Sequence, residues 1–162
     1  VFIHAQQADM YGNAKIFGPA VNDIAEAFAS RKVIITCEEV VPELAIRFDN
    51  SFVVIPFMVV DAVVELPYGC LPGCCPGYYY WAREWWEWLM RIATRDEEAM
   101  QDFFKEWVLD CKDQYELIDK LAKHLGGSRY IDHLRRMQKA EEYLLEDKGV
   151  DFTYTQVIPK RD

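Results

Sequence analysis

Val33-Ile34-Ile35-Thr36-Cys37 is a short, β-branched run without polar alternation. Such a run suits a strand covered on both faces, the usual setting of a parallel sheet. Val1-Phe2-Ile3-His4-Ala5 is a second run of the same kind. Between the two, Val21, Ile24, Ala25 and Phe28 fall on one face of a helix. Residues 51–55 and 59–66 supply two more strands. The order strand, short hairpin, helix, strand, strand predicts an α/β fold around an open, mostly parallel sheet.

The second half of the chain reads differently. Residues 67–77 carry three prolines and three glycines and form a loop. Residues 84–93 are a helix with Trp85, Trp88, Leu89 and Ile92 on one side. Thr94-Arg95-Asp96-Glu97 has the form of a capping box, with Thr94 as the forward cap. The helix behind it shows Met100, Phe103, Phe104, Trp107, Val108 and Cys111 at helical spacing. Asp113 caps a third helix, Gly126-Gly127 ends it, and Ser128 opens a fourth, more charged helix reaching about residue 147. Residues 151–157 alternate weakly and read as a final edge strand. The expected organisation is an α/β part over residues 1–79 and a helical region over 80–162 packing on the same domain.

Composition narrows the function. Apolar residues make up 51% of the 162-residue chain and aromatic residues 14%, which is incompatible with disorder. With 27 Asp and Glu against 18 Lys and Arg, the net charge is −9, and no basic face for a nucleic acid is expected. No apolar stretch reaches the roughly 20 residues of a membrane span. The five cysteines, an odd number in a chain of this size, suit a reducing cytoplasm better than a disulfide framework. The opening run has neither a leader nor a preceding turn, so residue 1 reads as an internal point of a longer protein.

Candidate sites follow from where strands end. Gln6 and Gln7 precede the turn Asp9-Met10-Tyr11-Gly12-Asn13, at the carboxyl end of a strand, where open α/β folds bind ligands. Both amides are candidates for a substrate carboxylate or thioester oxygen. Asp9, Gly12 and Asn13 read chiefly as a structural turn, with Gly12 at positive φ. Glu38 and Glu39 also follow a strand. As a carboxylate pair they are candidates for substrate binding and acid/base work, and suit equally a structural cap or contact with a partner's basic residues. Cys70, Cys74 and Cys75 lack a second pair and a histidine close in sequence, so they read as small apolar thiols, and no metal is expected. The tryptophans read as core, except Trp86, which falls off the main helical face and is an interface candidate.

Two collinear stretches carry a family resemblance. The first is His4-Ala5-Gln6-Gln7-Ala8-Asp9-Met10-Tyr11-Gly12-Asn13, followed by Ile16-Phe17-Gly18-Pro19 and Val33-Ile34-Ile35-Thr36-Cys37-Glu38-Glu39-Val40-Val41. The second runs from Ile55-Pro56-Phe57-Met58-Val59-Val60-Asp61 through Val63-Val64-Glu65-Leu66-Pro67-Tyr68-Gly69 to Gly77-Tyr78-Tyr79, with Phe103-Phe104-Lys105-Glu106-Trp107-Val108 later. Over roughly residues 1–120 the chain resembles the A (alpha) subunit of family I CoA-transferases of the glutaconate type.

The resemblance implies a sheet of the CoA-transferase type with a C-terminal helical extension, in a cytoplasmic hetero-oligomer. Its partners would be the N-terminal part of the A subunit together with a B (beta) subunit. Coenzyme A would be a substrate, with no permanently bound cofactor. Such enzymes move CoA from an acyl-CoA to a carboxylic acid through a glutamyl-CoA thioester. In the glutaconate type the reactive glutamate lies on the B chain, so no catalytic residue is expected here. The loop before Tyr78 and Tyr79 lies near the acyl site in the family, which makes both tyrosines substrate-binding candidates. The resemblance also admits a ring-opening hydrolase subunit of steroid degradation, or a subunit without chemistry of its own. Two departures stand out: Tyr80-Trp81-Ala82-Arg83 replaces a more acidic segment, and the loop carries three cysteines.

Overall fold

The computed structural model describes residues 1–138. The expected edge strand at 151–157, and the fourth helix beyond residue 138, lie outside the described residues. Five strands form one sheet in the order β4-β2-β1-β3-β5. The central strand β1 (Phe2–Ala8) runs parallel to β3 (Ile34–Val40), which runs parallel to β5 (Ala62–Glu65). On the other side, β2 (Ala14–Lys15) is antiparallel to both β1 and β4 (Val53–Ile55). The two long runs are thus neighbours in the middle of the sheet. Their alternate side chains, including Ile3, Ala5, Ile35 and Cys37, are buried in one hydrophobic cluster.

Two expectations about the sheet's surroundings need correction. Helix α1 (Asp23–Ala29) presents Ala27 to the cluster, while Val21, Ile24 and Phe28 are exposed. A small side chain lets the helix backbone approach the sheet, and the larger residues are turned outward. The segment expected as one strand over 59–66 is divided. Phe57–Val59 is a 3₁₀ turn, and pairing begins only after Asp61, whose carboxylate accepts from the amide of Val33 at 2.9 Å. A short helix, α2 (Glu43–Phe48), lacked a recognisable hydrophobic period and was not expected.

A second hydrophobic cluster lies in the helical half. Helix α3 (Arg83–Ala93) buries Trp85. Helix α4 (Glu97–Phe104) buries Phe103 and runs on into a π-helical turn, Lys105–Leu109, that buries Trp107. Trp85 is the hub: its ring lies 5.6 Å from Phe103 and 5.9 Å from Trp107, both edge-on. Leu121 of α5 (Gln114–His124) and Leu134 of α6 (Ser128–Gln138) complete the cluster. The expected cap of α4 is displaced by one half-turn. Thr94 ends α3, its hydroxyl donating back to the carbonyls of Met90 and Arg91, and Asp96 caps α4 by accepting from the amide of Ala99 at 2.7 Å. A carboxylate beside a helix N-terminus is the stronger cap. Asp113 caps α5 as expected, accepting from Glu116 N at 2.9 Å. The Trp86 indole N–H donates to the carbonyl of Pro72 at 3.1 Å, tying α3 to the loop.

Candidate active site

The carboxyl ends of β1 and β3 meet the loop after β5. Strand alternation divides the polar residues there between two faces. His4, Gln6, Thr36 and Glu38 share one face; Gln7 and Glu39, opposite each other in the register, share the other. The adjacent tyrosines follow the same division. Tyr79 donates to Glu38, whereas Tyr78 donates to Glu39 at 3.1 Å and accepts from the Gln7 amide at 3.4 Å. Gln7 also donates to Glu39 at 3.2 Å. This outer trio is partly open to solvent.

The inner face is closed and fully bonded. Glu38 is buried, and its carboxylate accepts from the Tyr79 hydroxyl and from the amide of Tyr68 at 2.7 Å, and faces His4 Nε2 at 2.9 Å. Burial alone would raise its pKa; the bonds from His4, Tyr79 and Tyr68 override that and hold it below the ordinary carboxylate range. His4 Nδ1 lies 2.9 Å from the Thr36 hydroxyl. Burial alone would lower the pKa of His4, yet the neighbouring Cys70 thiolate and Glu38 carry it up to about 9. Cys70 is pulled down to about 5 by the hydrogen bond from Cys75 and then by His4, while that same bond and burial push Cys75 up. Burial and the Glu38 charge likewise raise Tyr79, leaving its phenol protonated to donate.

Gly69 makes this face possible. A Cβ there would lie 2.4 Å from His4 Cε1 and 2.6 Å from Nδ1, so the imidazole rests directly on bare backbone.

The other expected residues have structural engagements. The Gln6 amide is buried; its oxygen accepts from Phe17 N at 2.9 Å, and its nitrogen donates to the carbonyls of Phe17 and Pro76, both at 3.3 Å. Both ends of the amide are thus spent on backbone, stitching the loop to β1. Asp9 is fully buried; one carboxylate oxygen accepts from the amides of Tyr11, Gly12 and Asn13, and the other from the Asn13 side chain at 2.7 Å. Gly12 has φ +106°, and a Cβ would meet Val60 at 2.8 Å. Asp9, Gly12 and Asn13 therefore shape the turn that ends β1.

Sequence reasoning did not connect His4, Tyr68 and Cys70 to the site, because only parallel pairing brings residues so distant in sequence together. It also passed over Lys15, a buried lysine whose ammonium donates to Ala45 O at 3.4 Å and Asp49 at 3.3 Å. A lysine among apolar neighbours, Ala14 and Ile16, was the available signal.

Polar side chains gathered at the carboxyl ends of parallel strands mark the place where open α/β sheets bind ligands. No family model matches the sequence. The A subunit of glutaconate CoA-transferase from Acidaminococcus fermentans is 38% identical over 130 residues, covering 80% of this chain and 39% of that one. The crystal structure of glutaconate coenzyme A-transferase from the same organism superposes with a TM-score of 0.75 at 36% identity, over 83% of this chain and 40% of the other. The A subunit of 3-oxoadipate CoA-transferase from Pseudomonas knackmussii is 31% identical over 121 residues, 75% of this chain and 42% of the relative. A variant of the decarboxylase AibA/AibB matches with a TM-score of 0.50 at 30% identity, over 64% of this chain and 38% of that one. The chain belongs to the family of CoA-transferase A subunits, and it spans less than half the length of the curated relatives it matches. Among the described residues no helix is long and apolar enough to cross a membrane.

Proposed function

We propose that this chain supplies part of the A subunit of an acyl-CoA:carboxylate CoA-transferase, acting on a small dicarboxylic or related acid. The rest of the A chain, together with a B subunit, completes the enzyme, and the B chain carries the glutamate that forms the glutamyl-CoA thioester. The observation that carries this reading is the collinear relation to the A subunit of glutaconate CoA-transferase in sequence and in structure. In it, residues at the ends of β1 and β3 form the A-side wall of the acyl pocket. Gln7 and Tyr78, polar and accessible, hold the substrate carboxylate. Glu39 orients both of them. Glu38 and Tyr79 stand behind this wall and fix the loop. In this reading the cofactor-like element is the substrate, coenzyme A.

The test is turnover by the assembled enzyme with an acyl-CoA, with and without a carboxylic acid acceptor. CoA-transferase activity requires the acceptor and yields its CoA ester. Free CoA released without an acceptor would replace this reading by a hydrolase. Carbon dioxide release would replace it by a decarboxylase, the activity named for one structural relative.

A further inference from the structure

Strand β1 and the loop after β5 bring three soft donors to one point. The ligating atoms of His4, Cys70 and Cys75 all lie within 4.8 Å of one another. Cys75 is buried, and His4 and Cys70 are half-buried. The two cysteines are separated by four residues, Leu71-Pro72-Gly73-Cys74, a spacing within the C-x2–4-C range of zinc sites. The loop is held in shape independently of any ion. The amide of Cys75 donates to Tyr79 O at 3.0 Å, and the amide of Cys70 donates to the Tyr79 hydroxyl oxygen at 3.0 Å.

The imidazole is oriented as metal-ligating histidines are. One ring nitrogen, Nε2, faces the buried Glu38 carboxylate at 2.9 Å, and that carboxylate is itself fixed by Tyr68 and Tyr79. A carboxylate on one nitrogen sets the ring plane and leaves the other nitrogen for the ion. That other nitrogen, Nδ1, is turned toward Gly69, directly before Cys70. Its neighbour there is the Thr36 hydroxyl, at 2.9 Å, a bond that an ion would displace.

We propose that His4, Cys70 and Cys75 form a binding site for a soft divalent cation of the zinc class, which pins the loop to β1. Two thiolates and an imidazole select such an ion over magnesium and calcium, which require oxygen ligands. Three protein ligands leave the fourth tetrahedral position for water or an incoming ligand atom. Binding exchanges the protons of the ligating groups for the cation and moves no electrons, so no oxidant enters. The site stands on these side chains alone and does not depend on the proposed transferase reaction.

The experiment uses the full chain, stripped by chelation with its thiols kept reduced, and titrated with cobalt(II). The expected result is one equivalent bound, with a thiolate-to-cobalt charge-transfer band and tetrahedral visible bands, followed by displacement with zinc. Cys70→Ala and Cys75→Ala should each weaken zinc binding by about 100-fold or more, and Cys74→Ala by no more than about twofold. Circular dichroism establishes that each variant is folded. If Cys75→Ala does not fold, Cys70→Ala and the wild-type cobalt spectrum decide. A reduced, folded chain without the charge-transfer band would overturn the proposal. So would zinc affinity unchanged in Cys70→Ala, or a Cys70–Cys75 disulfide in protein purified with zinc present throughout.

Discussion

Around the sheet the buried side chains are small or β-branched: Ala5, Ala8, Ala14, Val33, Ile35 and Ile55. Around α3 and α4 they are large rings: Tyr79, Trp85, Phe103 and Trp107. The contrast follows from the geometry each half must fill. Neighbouring strands stand about 4.8 Å apart, so short side chains pack the sheet densely and the backbone supplies the directional bonds. Short helices cross at wider spacing, and rings of 150 Å² or more, by the usual estimate, are needed to close the gaps. The sheet half therefore gains precision from its hydrogen-bonded turns, and the helical half gains stability from burial. The two meet where Tyr79, a ring of the helical cluster, donates to Glu38 on β3.

The largest test of this contrast is Trp85→Ala. Removing the hub ring should cost about 3–5 kcal/mol, measured by urea unfolding followed through tryptophan emission and far-ultraviolet dichroism. A loss under about 1 kcal/mol would mean that the aromatic cluster does not carry the helical half.

The corresponding test in the sheet half removes a bond acceptor rather than volume. Asp9→Ala leaves the amides of Tyr11 and Asn13 without their acceptor, and that of Gly12 with only the backbone carbonyl of residue 9, at 3.1 Å. Its expected cost is about 3 kcal/mol in urea unfolding, with the aromatic cluster's emission unchanged before the transition. Stability equal to the wild type would show that the turn holds without the carboxylate, and the contrast would fail on this side.

The smallest effects lie at the junction. A double-mutant cycle of Tyr79→Phe and Glu38→Gln should give a coupling of about 1–2 kcal/mol. Tyr78→Phe, whose bonds to Glu39 and Gln7 are partly exposed, should change stability by only about 0.5 kcal/mol. Equal values for the two tyrosines would erase the distinction between the closed inner face and the open outer face.

These elements also differ in how far the amino-acid order alone discloses them. The two short apolar runs were readable because burial on both faces removes alternation, and β1 and β3 are central for the same reason. The Asp9-x-x-Gly12-Asn13 turn was readable because its bonds are local. Helix α1 was misjudged because an apolar stripe indicates a helix without saying which side faces the sheet; here Ala27 does, and the larger residues do not. The capping residue was misplaced because Thr94 and Asp96 both satisfy the pattern, and only the chain path separates the end of one helix from the start of the next. Of the site, Glu38, Glu39 and Gln7 were legible as polar residues at strand ends. The pairing of His4 with Cys70 and Cys75 was not, since it depends on strand register and on the path of a loop that contains no periodic signal.

Bare backbone at position 69 has a consequence for how this loop can diverge. With the His4 ring lying where a first side-chain carbon would go, every replacement at Gly69 must push the imidazole away from Glu38 or move the strand beneath it. In a saturation library this position should return glycine alone, while the exposed Cys74, five places on, accepts other residues. Drift in the loop is thereby channelled: its chemistry can be rewritten around that one immovable contact, but its distance from the first strand cannot.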